Sequence, residues 1–600
     1  MRIFKIVIVL IAIFSAQLHV GNAMETMSAD EIQAGMTGIA KTVIEGSTID
    51  EFSVEIVGVL NDSPKEEGYI LAKVSGDAID KTGGVLQGMS GSPVYINGKL
   101  IGAISGGWKD IDNKLCLITP INEMLKIWNL PDDKNIRQSH VFKFNDSKVK
   151  KEDNKNSETN IKENKILESS KLLTGPLMAS GFTIDGLQML NEKLKPFNIT
   201  AYNVSSGGTG NDIKVNPITL EPGSAIASEI VRGDISLAAI GTVTAVEGDK
   251  VLAFGHPFLR RGNVSYFMTD AKIIGTATGV NNGFKIGEPG YTWGLINQDR
   301  TMGIAGKIGQ MPYVIPLRVQ IYDKDLDVQK NYSAQIAYDE EIAPAVSTSV
   351  LYNFIDKTID RSGPGTAKIE FEILTRGIKD KNSAIVRENM FYNLQDIGQL
   401  AVAEFFDIMN VLSNNKFNPV DILDVKVKIE VEGTRKTATI IEVKPDKISA
   451  KPGDTVNIAL KIKPYRSEEV TKIIPYKIDK NQAKGVLNLE VRGGGLIPLP
   501  VLLLKQQGID IVSEENKNRT LEKIVADFED SGHNNEVIID ILPPLQQPGE
   551  NTGVKTSKKV TKIEKTNNSV SQNMPLSDKK VRASTDYIIE NVVETAITVI

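Results

Sequence analysis

Disulfide frameworks and thiolate metal clusters are closed to this chain, because it holds one cysteine, Cys116, in 600 residues. Histidine is almost as scarce. Four copies (His19, His140, His256 and His533) leave little room for a histidine-built metal site, and neither a metal nor a cofactor is expected. Positive charge is in deficit, with 69 Lys+Arg against 75 Asp+Glu for a net charge of −6. Nucleic acid is therefore an unpromising partner, since neutralising phosphates needs a basic surplus. Past the first two dozen residues there is no apolar run long enough to cross a bilayer. What the chain does have is a globular balance, 41% hydrophobic and 24% charged, at a length that suggests about four folded units.

The N-terminus reads as an address. Arg2 and Lys5 supply charge, Ile6 to Ala16 is nearly unbroken apolar, and Gly21-Asn22-Ala23 offers small residues for a signal peptidase. Residues 1–23 are expected to be a cleaved secretory signal, so that the mature protein is exported to the periplasm, cell envelope or exterior of a bacterium. The alternative is an uncleaved anchor, for which the apolar stretch is short and interrupted by His19.

Residues 30–135 carry short β-branched runs and glycine turns, as in a barrel or sandwich. One hairpin stands out: Val94-Tyr95-Ile96 and Lys99-Leu100-Ile101 flank Asn97-Gly98, a pair suited to a type I′ turn. Residues 143–172 are dominated by lysine, glutamate, asparagine and serine and read as a flexible linker. Residues 173–335 return to short strands. The 336–420 region is α+β, with a helix expected over Ile342–Asp360, a strand over Ala367–Leu374 and a helix over Leu394–Leu412. Alternation over 421–510, as in Val425 to Val431, suggests an immunoglobulin-like sandwich. Residues 511–600 read as an α/β segment followed by a mostly loose tail.

Chemistry concentrates at Gly88-Met89-Ser90-Gly91-Ser92-Pro93. A nucleophilic serine needs a tight turn that exposes its oxygen and sets backbone N–H groups beside it, and flanking glycines permit both. The competing reading is a plain glycine-rich turn. The general base must then be a histidine, and few exist. His140 borders the linker and His533 sits in a polar Ser531-Gly532-His533-Asn534 turn. His256 lies in Phe254-Gly255-His256-Pro257, directly after a strand, which makes it the candidate base; the bland alternative is a core imidazole.

Asp80-Lys81-Thr82-Gly83-Gly84 leading into the serine motif, the hairpin, and Gly102-Ala103-Ile104 resemble the nucleophile region of the SpoIVB-type serine peptidase family. Gly241-Thr242-Val243-Thr244, Phe254-Gly255-His256 and Gly303-Ile304-Ala305-Gly306 resemble its histidine region. The resemblance implies a mainly β protein with a chymotrypsin-like double β-barrel formed by two chain segments. Ser90 would be the nucleophile and His256 the base, and the backbone N–H groups of Gly88 and Ser90 would bind the oxyanion. Here the serine precedes the histidine, the reverse of the namesake's order, which triad geometry tolerates. Counting without gaps puts Ser75 where the family has its aspartate. Asp299, at a strand end, is the first substitute as the third catalytic member and Asp80 the second. The expected function is an exported serine endopeptidase acting on protein or peptide substrates, with a possible envelope partner docked on the C-terminal sandwich. The alternatives are a catalytically silent binding or scaffold protein of the envelope and a sugar-binding protein.

Overall fold

The computed structural model describes residues 24–60, 68–108, 112–132, 170–172, 176–204, 217–278, 283–359, 361, 363–378, 384–496, 519–542 and 580–600. The expected signal peptide, His140 and nearly all of the expected linker lie outside them. The chain divides into two compact units. One combines residues up to 182 with 194–314 and 337–339, and the other takes 183–193, 315–336 and 340–600.

The first unit contains two closed barrels, as the resemblance implies. The N-terminal barrel uses β1 (Thr37–Thr42), β2 (Asp50–Leu60), β3 (Tyr69–Ser75), β4 (Pro93–Ile96), β5 (Lys99–Trp108) and β6 (Leu115–Pro120). Its ring order is β4-β1-β2-β3-β6-β5, and β5 pairs back onto β4. Alternation makes the strands: Phe52, Val54 and Ile56 of β2 point into the core while Glu51, Ser53 and Glu55 face solvent. The β4–β5 hairpin turns at Asn97 (φ 52°) and Gly98 (φ 78°), the left-handed pair of a type I′ turn. Cys116 is a buried member of this core. The last residues of the expected linker form β7 (Ser170–Leu172), which pairs with Gly106–Trp108 of β5.

After β8 (Leu177–Ser180) and β9 (Ala201–Asn203) comes the second barrel. It consists of β10 (Ala225–Gly233), β11 (Ser236–Glu247), β12 (Lys250–Ala253), β13 (Gly262–Ala277), β14 (Phe284–Arg300) and β15 (Gly303–Ile308). The ring runs β10-β13-β14-β15-β12-β11, closed by the β10–β11 pairing. Leu100, Ala103 and Met124 pack in one apolar cluster with Ala245, Leu252 and Ala305, so the two barrels share a core along their seam.

In the second unit, β16 (Val314–Asp323), β17 (Val328–Ala337), β18 (Gly365–Arg376), β19 (Ile385–Asn393) and β20 (Asp421–Glu432) form a sheet ordered β19-β18-β20-β16-β17. The helix Ala343–Ile359 is buried on nearly every face, taking Ser347, Thr348, Ser349 and Asn353 inside along with the expected apolar side of Val346, Val350, Leu351 and Phe354. The second expected helix is split at Val402 into Ile397–Ala401 and Ala403–Ser413.

Two sheets then enclose a common core. One is β24-β23-β21-β28, built from β21 (Thr437–Pro445), β23 (Thr455–Pro464), β24 (Val470–Lys477) and β28 (Ile588–Ile589). The other is β22-β29-β25-β26-β27, built from β22 (Ser449–Ala450), β25 (Gly485–Gly493), β26 (Glu536–Ile541), β27 (Val581–Ser584) and β29 (Val592–Val599). Three expected boundaries shift. The strand at Val425–Val431 pairs with β16 and β18 and so lies outside the sandwich, because alternation specifies a half-buried strand and not its partner. The stretch 581–599, expected to be loose, supplies strands of both sheets; its Ile597 and Val599 reach the core. Residues 315–336, which make up nearly all of β16 and β17, group with this unit.

Candidate functional site

Ser90 sits on the turn that leads into β4. It is 1% exposed, and its Oγ makes no hydrogen bond to any described residue. The turn around it is tightly bonded. Gly91 N–H donates to Ile104 O at 2.8 Å, and its φ of 92° already favours glycine. A Cβ at Gly91 would stand 2.0 Å from Thr242 O and 2.5 Å from Phe254 N. No other residue fits there.

Two amides of the turn are left over. Among the described residues, nothing accepts from the N–H of Gly88 or of Ser90. Their peptide planes are nevertheless fixed through the carbonyls on the other side of each bond. Gln87 O accepts from Lys285 N at 2.9 Å, and Met89 O accepts from Ser92 N at 3.0 Å and Ser92 Oγ at 2.6 Å. An amide whose carbonyl is already accepting is a better donor at nitrogen. The second barrel clamps the remaining carbonyls: Thr242 N donates to Ser90 O (2.8 Å), Thr242 Oγ1 to Gly88 O (3.0 Å) and Thr244 Oγ1 to Gly91 O (2.8 Å).

His256 follows β12 across a strained corner. Phe254 has φ 70° and Gly255 φ 68°. A phenylalanine held at positive φ costs about 1–3 kcal/mol and persists only where its surroundings enforce it. The enforcement is visible: Gly255 O accepts from Thr119 Oγ1 at 2.6 Å, and Phe254 N donates to Thr242 O at 3.3 Å. The imidazole is 1% exposed and packs against the Phe254 ring at 5.8 Å. Its Nδ1 lies 2.7 Å from Pro257 O. A carbonyl can only accept, so this contact assigns the proton to Nδ1 and leaves the Nε2 lone pair as the basic site. Gly91, next to Ser90, packs against Phe254 N, two residues before His256. The sequence candidates thus come to one seam between the barrels, without a hydrogen bond joining Ser90 Oγ to the ring.

The carboxylates fall elsewhere. Asp299, at the end of β14, is buried, and its oxygens accept from Phe258 N (2.7 Å), Leu259 N (2.8 Å) and Arg261 N (3.2 Å). Burial raises its pKa while these backbone donors hold it down. Asp299 therefore clamps the loop that follows Pro257. Asp80 lies on the surface in an ion pair with Lys114 at 2.7 Å. His533 lies in the second unit, 3.5 Å from Glu536. No cluster of three or more metal-ligating side chains occurs among the described residues.

Sequence reasoning missed Lys285. It is fully buried at the start of β14, and its Nζ donates to Thr42 Oγ1 at 2.7 Å and reaches Thr242 Oγ1 at 3.4 Å. The one available signal was its place on the inward-facing alternation of a strand, which does not distinguish a functional lysine from a paired one.

Residues 11–110 match the SpoIVB peptidase S55 family. The match includes β1 to β5 and the whole Ser90 turn and ends before His256. No curated protein and no solved structure matches the chain.

Proposed function

From the match of residues 11–110 to the SpoIVB peptidase S55 family, we propose that the chain is an exported serine endopeptidase working through Ser90 and His256. Ser90 Oγ attacks a peptide carbonyl as His256 Nε2 takes its proton. The oxyanion that forms is received by the N–H groups of Gly88 and Ser90. His256 then returns the proton to the departing amine, and water releases the acyl group by the same steps. The Pro257 carbonyl takes the part of the orienting carboxylate at Nδ1. Asp299 supports it from behind as a positioning residue.

The observation that carries this reading is the buried Ser90 hydroxyl, unpartnered beside two idle amide donors. Buried polar groups left unmade cost about 1–3 kcal/mol each, so three at one turn call for an explanation, and chemistry supplies one. The Ser90–His256 hydrogen bond would form as substrate enters, since catalytic contacts are often long before binding.

Reaction with a fluorophosphonate probe tests it. Wild-type protein should label, Ser90→Ala should not, and His256→Ala should label at least about a hundredfold more slowly. A second reading, a silent scaffold, is favoured by the near-complete burial of both side chains; folded wild-type protein that never labels would establish it. Export rests on the N-terminal leader, and a mature protein beginning at Met24 would support it. Docking of an envelope partner on the C-terminal sandwich belongs to the same proposal and would be read by crosslinking in intact cells.

A further inference from the structure

Lys285 is an unusual guest in a protein interior. Its side chain is fully buried at the seam between the barrels, and its described hydrogen-bond acceptors are two neutral hydroxyls. Burial lowers its pKa to about 7, and the Asp50 carboxylate acts on it in the opposite direction. A purely structural role would be better served by a methionine, which fills the same space without desolvating an amine.

Its position relates it to the nucleophile turn in three ways. Its backbone N–H fixes Gln87 O, and so the plane of the peptide that carries the Gly88 N–H. Its aliphatic stem lies against Gly88, where an added Cβ would meet Lys285 Cβ at 3.1 Å. Its Nζ donates to the Thr42 and Thr242 hydroxyls, which lie 3.3 Å apart, and Thr242 Oγ1 donates to Gly88 O. A chain of polarised donors thus runs from the amine to the turn.

We infer that Lys285 is a positioning residue of the oxyanion turn, whose protonated amine, relayed through Thr42 and Thr242, holds the Gly88–Ser90 amides in place and favours negative charge in front of them. This rests on the reading of Ser90 as the nucleophile. In a dry seam a positive charge behind the donors stabilises the developing oxyanion far more than it would in water. The active protein therefore needs a protonated Lys285 and a neutral His256 at once.

The test is the rate of fluorophosphonate labelling against pH for wild type, Lys285→Met and Thr242→Val. Wild type should give a bell whose falling limb has a midpoint near pH 7, where the buried amine loses its proton. Lys285→Met should remain folded, label at least tenfold more slowly at the wild-type optimum, and lose the falling limb. Thr242→Val keeps the amine and should weaken the same limb. A Lys285→Met protein that labels at the wild-type rate with the wild-type profile overturns the inference, as does a wild-type profile with no falling limb. If Lys285→Met does not fold, the profile of Thr242→Val alone decides. Failure of wild type to label at any pH would instead overturn the peptidase reading itself.

Discussion

The Ser90 turn and the His256 loop are held in place by different means. The turn in the first barrel is held by short-range bonds within Leu86–Ser92, and its two donor amides are left idle by design of the neighbours: each adjoining carbonyl is satisfied. The histidine loop in the second barrel has less local bonding. It depends on a phenylalanine at positive φ, a threonine from the other barrel and a buried carboxylate that gathers three amides. The turn is a local motif that the second barrel reinforces. The loop is a tertiary product that exists only once both barrels are closed.

Substitutions should separate the two. The largest effect is expected at Gly91→Ala, where a methyl would be driven into Thr242 O and Phe254 N of the other barrel. It should destabilise by about 4 kcal/mol or more, seen in chemical denaturation, and a near-neutral result would mean that the seam is loosely packed. Next comes Lys285→Met, with opposite sign. Between about pH 7 and the unfolded lysine value near 10.4, the unfolded chain holds a proton that the folded protein has shed. Wild-type stability therefore rises with pH across that window, and the full penalty is present below it. Lys285→Met should be more stable than wild type at pH 7, by on the order of a few kcal/mol and so with a higher melting point, and the gain should fade toward pH 10. A lower melting point at pH 7 would show that the amine stabilises the seam.

Asp299→Asn should cost about 2–3 kcal/mol, because an amide replaces one acceptor oxygen with a donor facing backbone N–H groups. Labelling should slow with it, and hydrogen exchange should quicken at residues 258–261 while the Ser90 turn stays protected. Equal loosening at both places would mean that the turn depends on the second barrel as much as the loop does. The smallest effect belongs to Thr119→Val, which removes the bond to Gly255 O at a cost of about 1 kcal/mol.

The same contrast governs what could be read from the amino-acid order. The Ser90 turn was legible because a glycine-flanked serine and an Asn-Gly hairpin are defined within a few residues. His256 was legible by scarcity, there being so few imidazoles to choose from. The double barrel followed from strand spacing together with the family resemblance. Asp299 does end a strand, as its place in the sequence suggested, but a residue count cannot tell which donors a carboxylate there will gather. Lys285 was illegible because its neighbours come from β1 and β11, distant in the chain. The sandwich was placed too early for a similar reason: β20 and β23 alternate alike, and only their partners tell them apart. Its final strands were hidden beside a long polar stretch that dominates any averaged window.

Cys116 has a practical consequence. Burial in the first barrel leaves the thiol with no exposure and pushes its pKa up to about 12. At neutral pH about one molecule in a hundred thousand would carry the sulfur anion that alkylating reagents attack. To maleimides the folded chain therefore behaves as if it had no cysteine at all. A single cysteine engineered on either barrel rim can carry a fluorophore or spin label without first removing the native one, and distances across the seam become measurable in an otherwise unaltered protein.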